Sequence, residues 1–156
     1  MLLKVSRPKG SRATLYNPVM KARCVAAVVL AFAAMFANAQ VEQIAAAYRR
    51  QSSAVQAGDL RALFSTFAPD AYVIDLKGRK MPITELRDWW TPHLKAKDAS
   101  FTVKSIRLLS STRDSATVRI TRELRFTGRV NVATFEDTWL KTKTGWLLAH
   151  GQAVRS

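Results

Sequence analysis

Two charged residues of this chain fall where apolar ones belong. In the run from Ser115 to Gly128, Ala116, Val118, Ile120, Leu124 and Phe126 alternate with polar residues, and Arg122 sits in their phase. That alternation describes a strand with one buried face, and a guanidinium on such a face is costly unless something compensates its charge. The next run, Arg129 to Lys141, has Ala133, Phe135 and Trp139 in its apolar phase, and Asp137 shares it. A hairpin turning at Gly128-Arg129 would set Arg122 opposite Phe135 and Ile120 opposite Asp137. Arg122 and Asp137 are then expected to be diagonal neighbours on the inner face, within reach of long side chains. Two chemistries fit such a pair: a structural ion pair at the wet end of a sheet, or a pocket in which Arg122 reads an anionic or carbonyl group.

Other residues could join that chemistry. His150 shares a phase with Trp146, Leu148 and Gln152. An inward phase would set it against Asp137, whereas a one-residue slip in the loop KTKTG would turn it outside. Asp75 precedes the turn LKGRK, where it is either an acid–base group or a solvent partner of Lys77 or Arg79. Asp75, Asp137 and His150 are therefore the candidate proton-transfer groups. Tyr48, Trp90, Arg122, Phe135 and Trp139 are the candidate pocket wall. His93 and His150 lie far apart, and no metal-ligand spacing, phosphate-binding glycine loop or nucleophile elbow occurs. Neither a metal nor a cofactor is expected.

The elements that must position these residues follow from periodicity. Val41, Ile44, Tyr48 and Val55 recur at helical spacing, so a helix is expected over 41–56 and is stopped by Gly58-Asp59. Asp59 is placed to cap a second helix carrying Leu60, Leu63, Phe64 and Phe67 on one face, ended by Pro69-Asp70. A short strand AYVIDL (71–76) and the turn KGRK follow. A third helix after Pro82 then turns Ile83, Leu86 and Trp90 inward and ends or kinks at Pro92. From Ser100 onward the chain is strand-rich: 100–109, 115–128, 129–141 and 145–154, separated by turns. Helices first and a meander of strands after is an α+β pattern, with the helices on one face of a curved antiparallel sheet.

The segments AGDLRALFSTFAPDAYVID (57–75) and GWLLAHGQ (145–152) resemble the nuclear-transport-factor-2-like superfamily, which includes SnoaL-like cyclases and ketosteroid isomerases. The resemblance spans residues 41–154. It implies a cone-shaped curved antiparallel sheet wrapped around three N-terminal helices, with a pocket open at one end and dimerisation through the outer sheet face. It also places Asp75 where ketosteroid isomerases carry their proton-shuttling aspartate. Such an isomerase needs a phenol and a protonated acid as oxyanion donors. Gln51 stands where the phenol is expected, with Tyr48 one turn earlier, and Arg122 is expected to hold Asp137 ionised.

MKARCVAAVVLAFAAMFANAQ (20–40) has a basic head, an uncharged stretch from Cys24 to Phe36 and the small-x-small triplet Ala37-Asn38-Ala39. Those are the parts of a secretory signal peptide, and the apolar stretch is short of the ~20 residues a spanning helix needs. Residues 1–39 are therefore expected to be a leader (signal peptide 20–39, with 1–19 a mis-called start). Residues 40–156 would be a single periplasmic or secreted domain beginning at Gln40, open to cyclisation to pyroglutamate, with no membrane anchor. The leader removes Cys24, the only cysteine, so neither disulfide nor thiol chemistry is available to the remainder. Six of the 25 basic residues and none of the 11 acidic ones lie before Gln40, and the remainder is still net basic. This favours acidic ligands only weakly, because net charge governs association rather than fold. Arg119, Arg125 and Lys104 are not interleaved with exposed aromatics, so nucleic-acid binding is not expected. The expected function is binding of a small molecule in an aromatic-walled pocket. A SnoaL-like isomerase or cyclase with a pocket Asp as general base, and a non-catalytic dimerisation domain, are the alternatives.

Overall fold

The computed structural model describes the backbone of residues 18–155 and the side chains of 35–155. Residues 1–17 lie outside the described part, as does the expectation that 1–19 precede the true start. The chain divides into Met1–Ala34, described only as helical backbone from Pro18, and Met35–Ser156, which carries all the remaining elements. Helix α1 runs Pro18–Ala57, beginning well before the helix expected over 41–56. Among the described residues no helix is long and apolar enough to cross a membrane.

In the second unit α1 buries Ile44, Ala47, Tyr48, Gln51 and Val55, the i, i+3, i+4, i+7 stripe of a helix lying on a core. At its start Gln40 is buried too, its Nε2 donating to the carbonyl of Thr112 at 2.7 Å. Gly58, at φ +65°, closes the helix: its N–H donates to Val55 O and that of Asp59 to Ala54 O, a left-handed glycine cap. Asp59 Oδ1 then accepts from Ala62 N–H at 2.8 Å and caps α2, which covers only Leu60–Phe64. The second helix therefore stops three residues short of the expected Phe67. Phe67 instead opens strand β1 (Phe67–Ile74). Pro69 disfavours helical backbone at Ala68, and it sits where pairing with the neighbouring strand is interrupted, between Phe67 and Tyr72.

Strand β2 (Lys80–Pro82) pairs back on β1, and α3 (Ile83–His93) buries Leu86 and Trp90, with Pro92 accommodated in its last turn. Strands β3 (Ser100–Ser111), β4 (Ser115–Phe126), β5 (Arg129–Thr142) and β6 (Gly145–Val154) form the antiparallel meander. The curved six-stranded sheet has the order β2-β1-β6-β5-β4-β3, and β1 runs parallel to β6. Its inner face packs Val118, Ile120, Trp139 and Leu148 against Ile44, Tyr48 and Val55 of α1.

The β4–β5 hairpin turns one residue earlier than expected, at Thr127-Gly128, and sets Phe126 opposite Arg129. Both turn residues have positive φ (51° and 77°), the geometry that matches strand twist in a two-residue hairpin. Asp98 holds it, its carboxylate accepting from Thr127 N–H (2.7 Å) and Gly128 N–H (2.6 Å). Moving the turn by one residue moves the pairing by two. Ile120 therefore faces Phe135, Arg122 faces Ala133 and Asp137 faces Val118. The inner face keeps its residues, but Arg122 and Asp137 are not the diagonal neighbours expected.

Candidate functional site

A cavity of about 710 Å³ opens between the inner face of the sheet and α1, α2 and α3. Leu63, Trp90, Phe101 and Phe135 supply much of its apolar wall, and Gln51, Arg122 and Asp137 are its inner polar lining. Asp137 is fully buried. One of its oxygens, Oδ2, accepts a 2.6 Å hydrogen bond from the Tyr48 hydroxyl, which accepts in turn from Trp139 Nε1–H at 3.2 Å. The other oxygen, Oδ1, is buried with no hydrogen-bond partner. Burial pushes the Asp137 carboxyl above the usual aspartate range, outweighing the opposing pull of Arg122 and of the Tyr48 hydrogen bond. Arg122 does pull the carboxyl towards the ionised form, as expected, but desolvation is the larger effect. Burial and the neighbouring carboxylate also push the Tyr48 phenol well above its usual value.

Arg122 is compensated by aromatic faces rather than by an acid. Its guanidinium carbon lies 3.7 Å from the centroid of Phe135 and 5.9 Å from that of Phe101. A contact of this kind is worth about 0.5–1 kcal/mol when exposed and about 2 kcal/mol when desolvated, and Arg122 is half-buried. Its Nε is buried without a partner. Arg122 and Asp137 thus line an apolar cavity, each with one buried atom, Arg122 Nε and Asp137 Oδ1, that has no hydrogen-bond partner.

No family model matches the chain, and no curated protein does. Solved structures do. An NTF2-like protein with a cystatin-like fold from Novosphingobium aromaticivorans superposes at TM-score 0.59 with 17% identity, over 78% of this chain and 84% of that one. An NTF-2-like protein of unknown function from Shewanella oneidensis gives 0.58 and 19%, over 72% and 96%. A ketosteroid isomerase-like protein from Erwinia carotovora atroseptica gives 0.50 and 20%, over 75% and 98%. The chain has the nuclear-transport-factor-2-like fold.

In this NTF2-like frame the sequence candidates separate. Arg122, Phe135, Trp90 and Asp137 come together at the cavity. Tyr48 and Trp139 stand behind its wall, reaching it through the Asp137 carboxylate. Asp75 lies at the rim, in solvent. Its Oδ1 accepts from the backbone N–H of Lys77 (2.8 Å) and Arg79 (2.9 Å), and the Arg79 amide, ahead of that of Lys77, holds its pKa below the usual value. A carboxylate so occupied is a turn cap and a weak base.

His150 is a correction. The strand β6 carries a bulge: Thr138 pairs with His150, but Trp139 pairs with Leu148, so Ala149 is extra. A bulge reverses the faces beyond it. Trp146 and Leu148 point inward as expected, but His150 emerges on the outer face, stacked on Tyr72 at 5.2 Å, and Gly151 faces Asp137. His150 is not assembled with the cavity groups.

Sequence reasoning gave two participants other roles and passed over a third, Gly151. Gln51 lines the cavity, its Nε2 donating to Thr66 Oγ1 at 2.9 Å. The hydroxyl of Tyr48 is spent on Asp137 rather than offered to a ligand. Gly151 was invisible because the bulge that brings it inward leaves no mark in the alternation of GWLLAHGQ.

Proposed function

We propose that the chain is a small-molecule-binding protein whose cavity takes a largely apolar ligand carrying one carboxylate or carbonyl group. The observation that carries this reading is the pair of unfilled buried polar atoms, Arg122 Nε and Asp137 Oδ1, within one aromatic and aliphatic cavity. Unpartnered buried polar atoms are destabilising by about 1–3 kcal/mol each, so a ligand that fills them gains affinity from the deficit. Arg122 Nε–H donates to the ligand oxygen. The Asp137 carboxyl, whose pKa burial raises, donates to the same group from Oδ1 when it is protonated. Homodimerisation through the outer sheet face and an exported location, expected from the family resemblance and the leader, belong to this reading. The half-exposed side chains of Val132 and Leu140 support the dimer.

The test uses the fluorescence of bound anilinonaphthalene sulfonate. Decanoate should displace it at least about tenfold better than decanol, a difference of about 1.4 kcal/mol. Arg122→Met, which keeps an apolar stem against Phe135, should abolish that preference in protein that remains folded. Equal displacement by acid and alcohol, or a preference that survives Arg122→Met, would sink the reading.

A second reading, an isomerase or cyclase, is favoured by the raised pKa of Asp137, which suits a general acid or base. The predicted substrate is not a Δ5-ketosteroid: Gln51 stands where a phenol donor is needed, and losing one oxyanion donor costs about 10²–10³ in rate. Ketosteroid turnover abolished by Asp137→Asn would contradict that prediction.

A further inference from the structure

Gly151 is buried between Asp137 and Phe135 for a reason other than backbone freedom. Gly58, Gly78, Gly128 and Gly145 all have φ in the left-handed range, and Gly151 does not. An L-residue could adopt its backbone. What it could not do is carry a side chain: a Cβ at 151 would strike Asp137 Oδ1, with Asp137 Cγ at 3.5 Å and Phe135 Cδ1 at 3.8 Å. Real Cβ atoms do not approach so closely, so the Asp137 carboxylate occupies the space that a side chain at 151 would fill. Asp137 and Gly151 are cross-strand partners, and partners on one face normally share the space between them. Here one takes all of it.

We infer that Gly151 is the positioning residue of the cavity, holding open the space in which the Asp137 carboxyl lies with Oδ2 on Tyr48 and Oδ1 unfilled. The bulge at Ala149 is part of the device. Without it, the alternation of Trp146 and Leu148 would bring the His150 imidazole against the carboxylate. With it, the smallest residue arrives there and the imidazole goes to the outer face. Any larger residue at 151 must rotate the carboxyl out of its place, and that breaks its bond to the Tyr48 hydroxyl. Tyr48 is itself buried, its ring packed edge-on against Trp139 and its hydroxyl accepting from Trp139 Nε1–H, which ties it in place.

The experiment is a double-mutant cycle on the full chain with Gly151→Ala and Asp137→Ala, read first as thermal stability. Gly151→Ala should lower Tm by at least about 5 °C when Asp137 is present and by less than about 2 °C in the Asp137→Ala background. If Gly151→Ala alone yields no folded protein, recovery of folded protein in the double variant is the same result. Equal losses in both backgrounds, or a double variant that fails to fold while Asp137→Ala folds, overturn the inference. A second readout, decanoate displacement of anilinonaphthalene sulfonate, rests on the ligand reading proposed above. There Gly151→Ala should weaken decanoate about as much as Asp137→Ala does, and the effect should vanish when Asp137 is already gone. A larger loss for Gly151→Ala than for Asp137→Ala would show that the methyl blocks the cavity instead of displacing the carboxyl. Coupling in Tm with decanoate affinity unchanged in every variant would leave the positioning role intact and overturn the ligand reading alone.

Discussion

Replacing Asp137 by Asn should remove a pH dependence from the folded state. The carboxyl is buried and its folded pKa is raised, chiefly by desolvation. A group of that kind contributes stability that is fully present below its unfolded pKa, about 3.9, and lost as pH rises through the folded value. The gap between wild type and Asp137→Asn should therefore move in the variant's favour from about pH 4 upward. Urea melts at several pH values read it out, and parallel curves would show that Asp137 does not titrate abnormally. The lowered carboxylates Asp75, Asp98 and Glu123 have the opposite sign, but they are common to both proteins and cancel in the difference. Which residues share the inner face was legible in the sequence, because alternation alone sorts Arg122, Phe135, Asp137 and Trp139 to one side. What each of them touches was not. The partner of Arg122 is an aromatic face set by register, and the pKa of Asp137 is raised by burial that no local pattern reveals.

At the scale of elements, one carboxylate caps the turn of the longest strand pairing. The side chain of Asp98 accepts both amides of the Thr127-Gly128 turn. Thr127, a β-branched residue at φ 51°, is strained without that support. Asp98→Ala should lower the melting temperature, and the loss should be larger near neutral pH than in acid. The folded pKa of Asp98 is lowered, first by the Gly128 amide, so its contribution is present above the ordinary aspartate pKa and disappears as pH falls through the folded value. An unchanged melting curve at neutral pH would mean that the turn holds itself. This is also where the sequence misled by one residue. Gly128 marks a turn, but reading the turn as 128–129 instead of 127–128 depends on a contact from Asp98, about thirty positions away. The shortened α2 is a second case, since helical spacing from Leu60 to Phe67 is overridden by Pro69 acting back on Ala68. The bulge in β6 is a third, and it alone decides the side on which His150 emerges.

For the whole molecule, the α+β architecture with helices first and a four-strand meander last was readable from periodicity, and the superposed structures share it. The parallel contact between β1 and β6, which joins the ends of the fold, was not readable, since nothing local encodes it. The outer sheet face carries Val132 and Leu140, each more than one-third exposed. Light scattering at micromolar concentration should return twice the monomer mass, and Val132→Glu should shift it to the monomer. A wild-type monomer would remove the dimer from the proposed function.

The buried amide of Gln40 sets a contest between two chemical events at a new chain end. Should a processing enzyme cut after Ala39, the freed α-amine can attack the side-chain Cδ of Gln40, closing a lactam and expelling the side-chain nitrogen as ammonia. That nitrogen is the one donating to Thr112. Folding first therefore holds the leaving group in place and turns it from the amine, whereas ring closure first deletes an anchor between the start of the domain and the β3–β4 turn. Intact mass should show an uncyclised Gln40 in protein processed after folding. Lactam formation at the same rate in folded and urea-unfolded protein would mean that this contact does not guard the terminus.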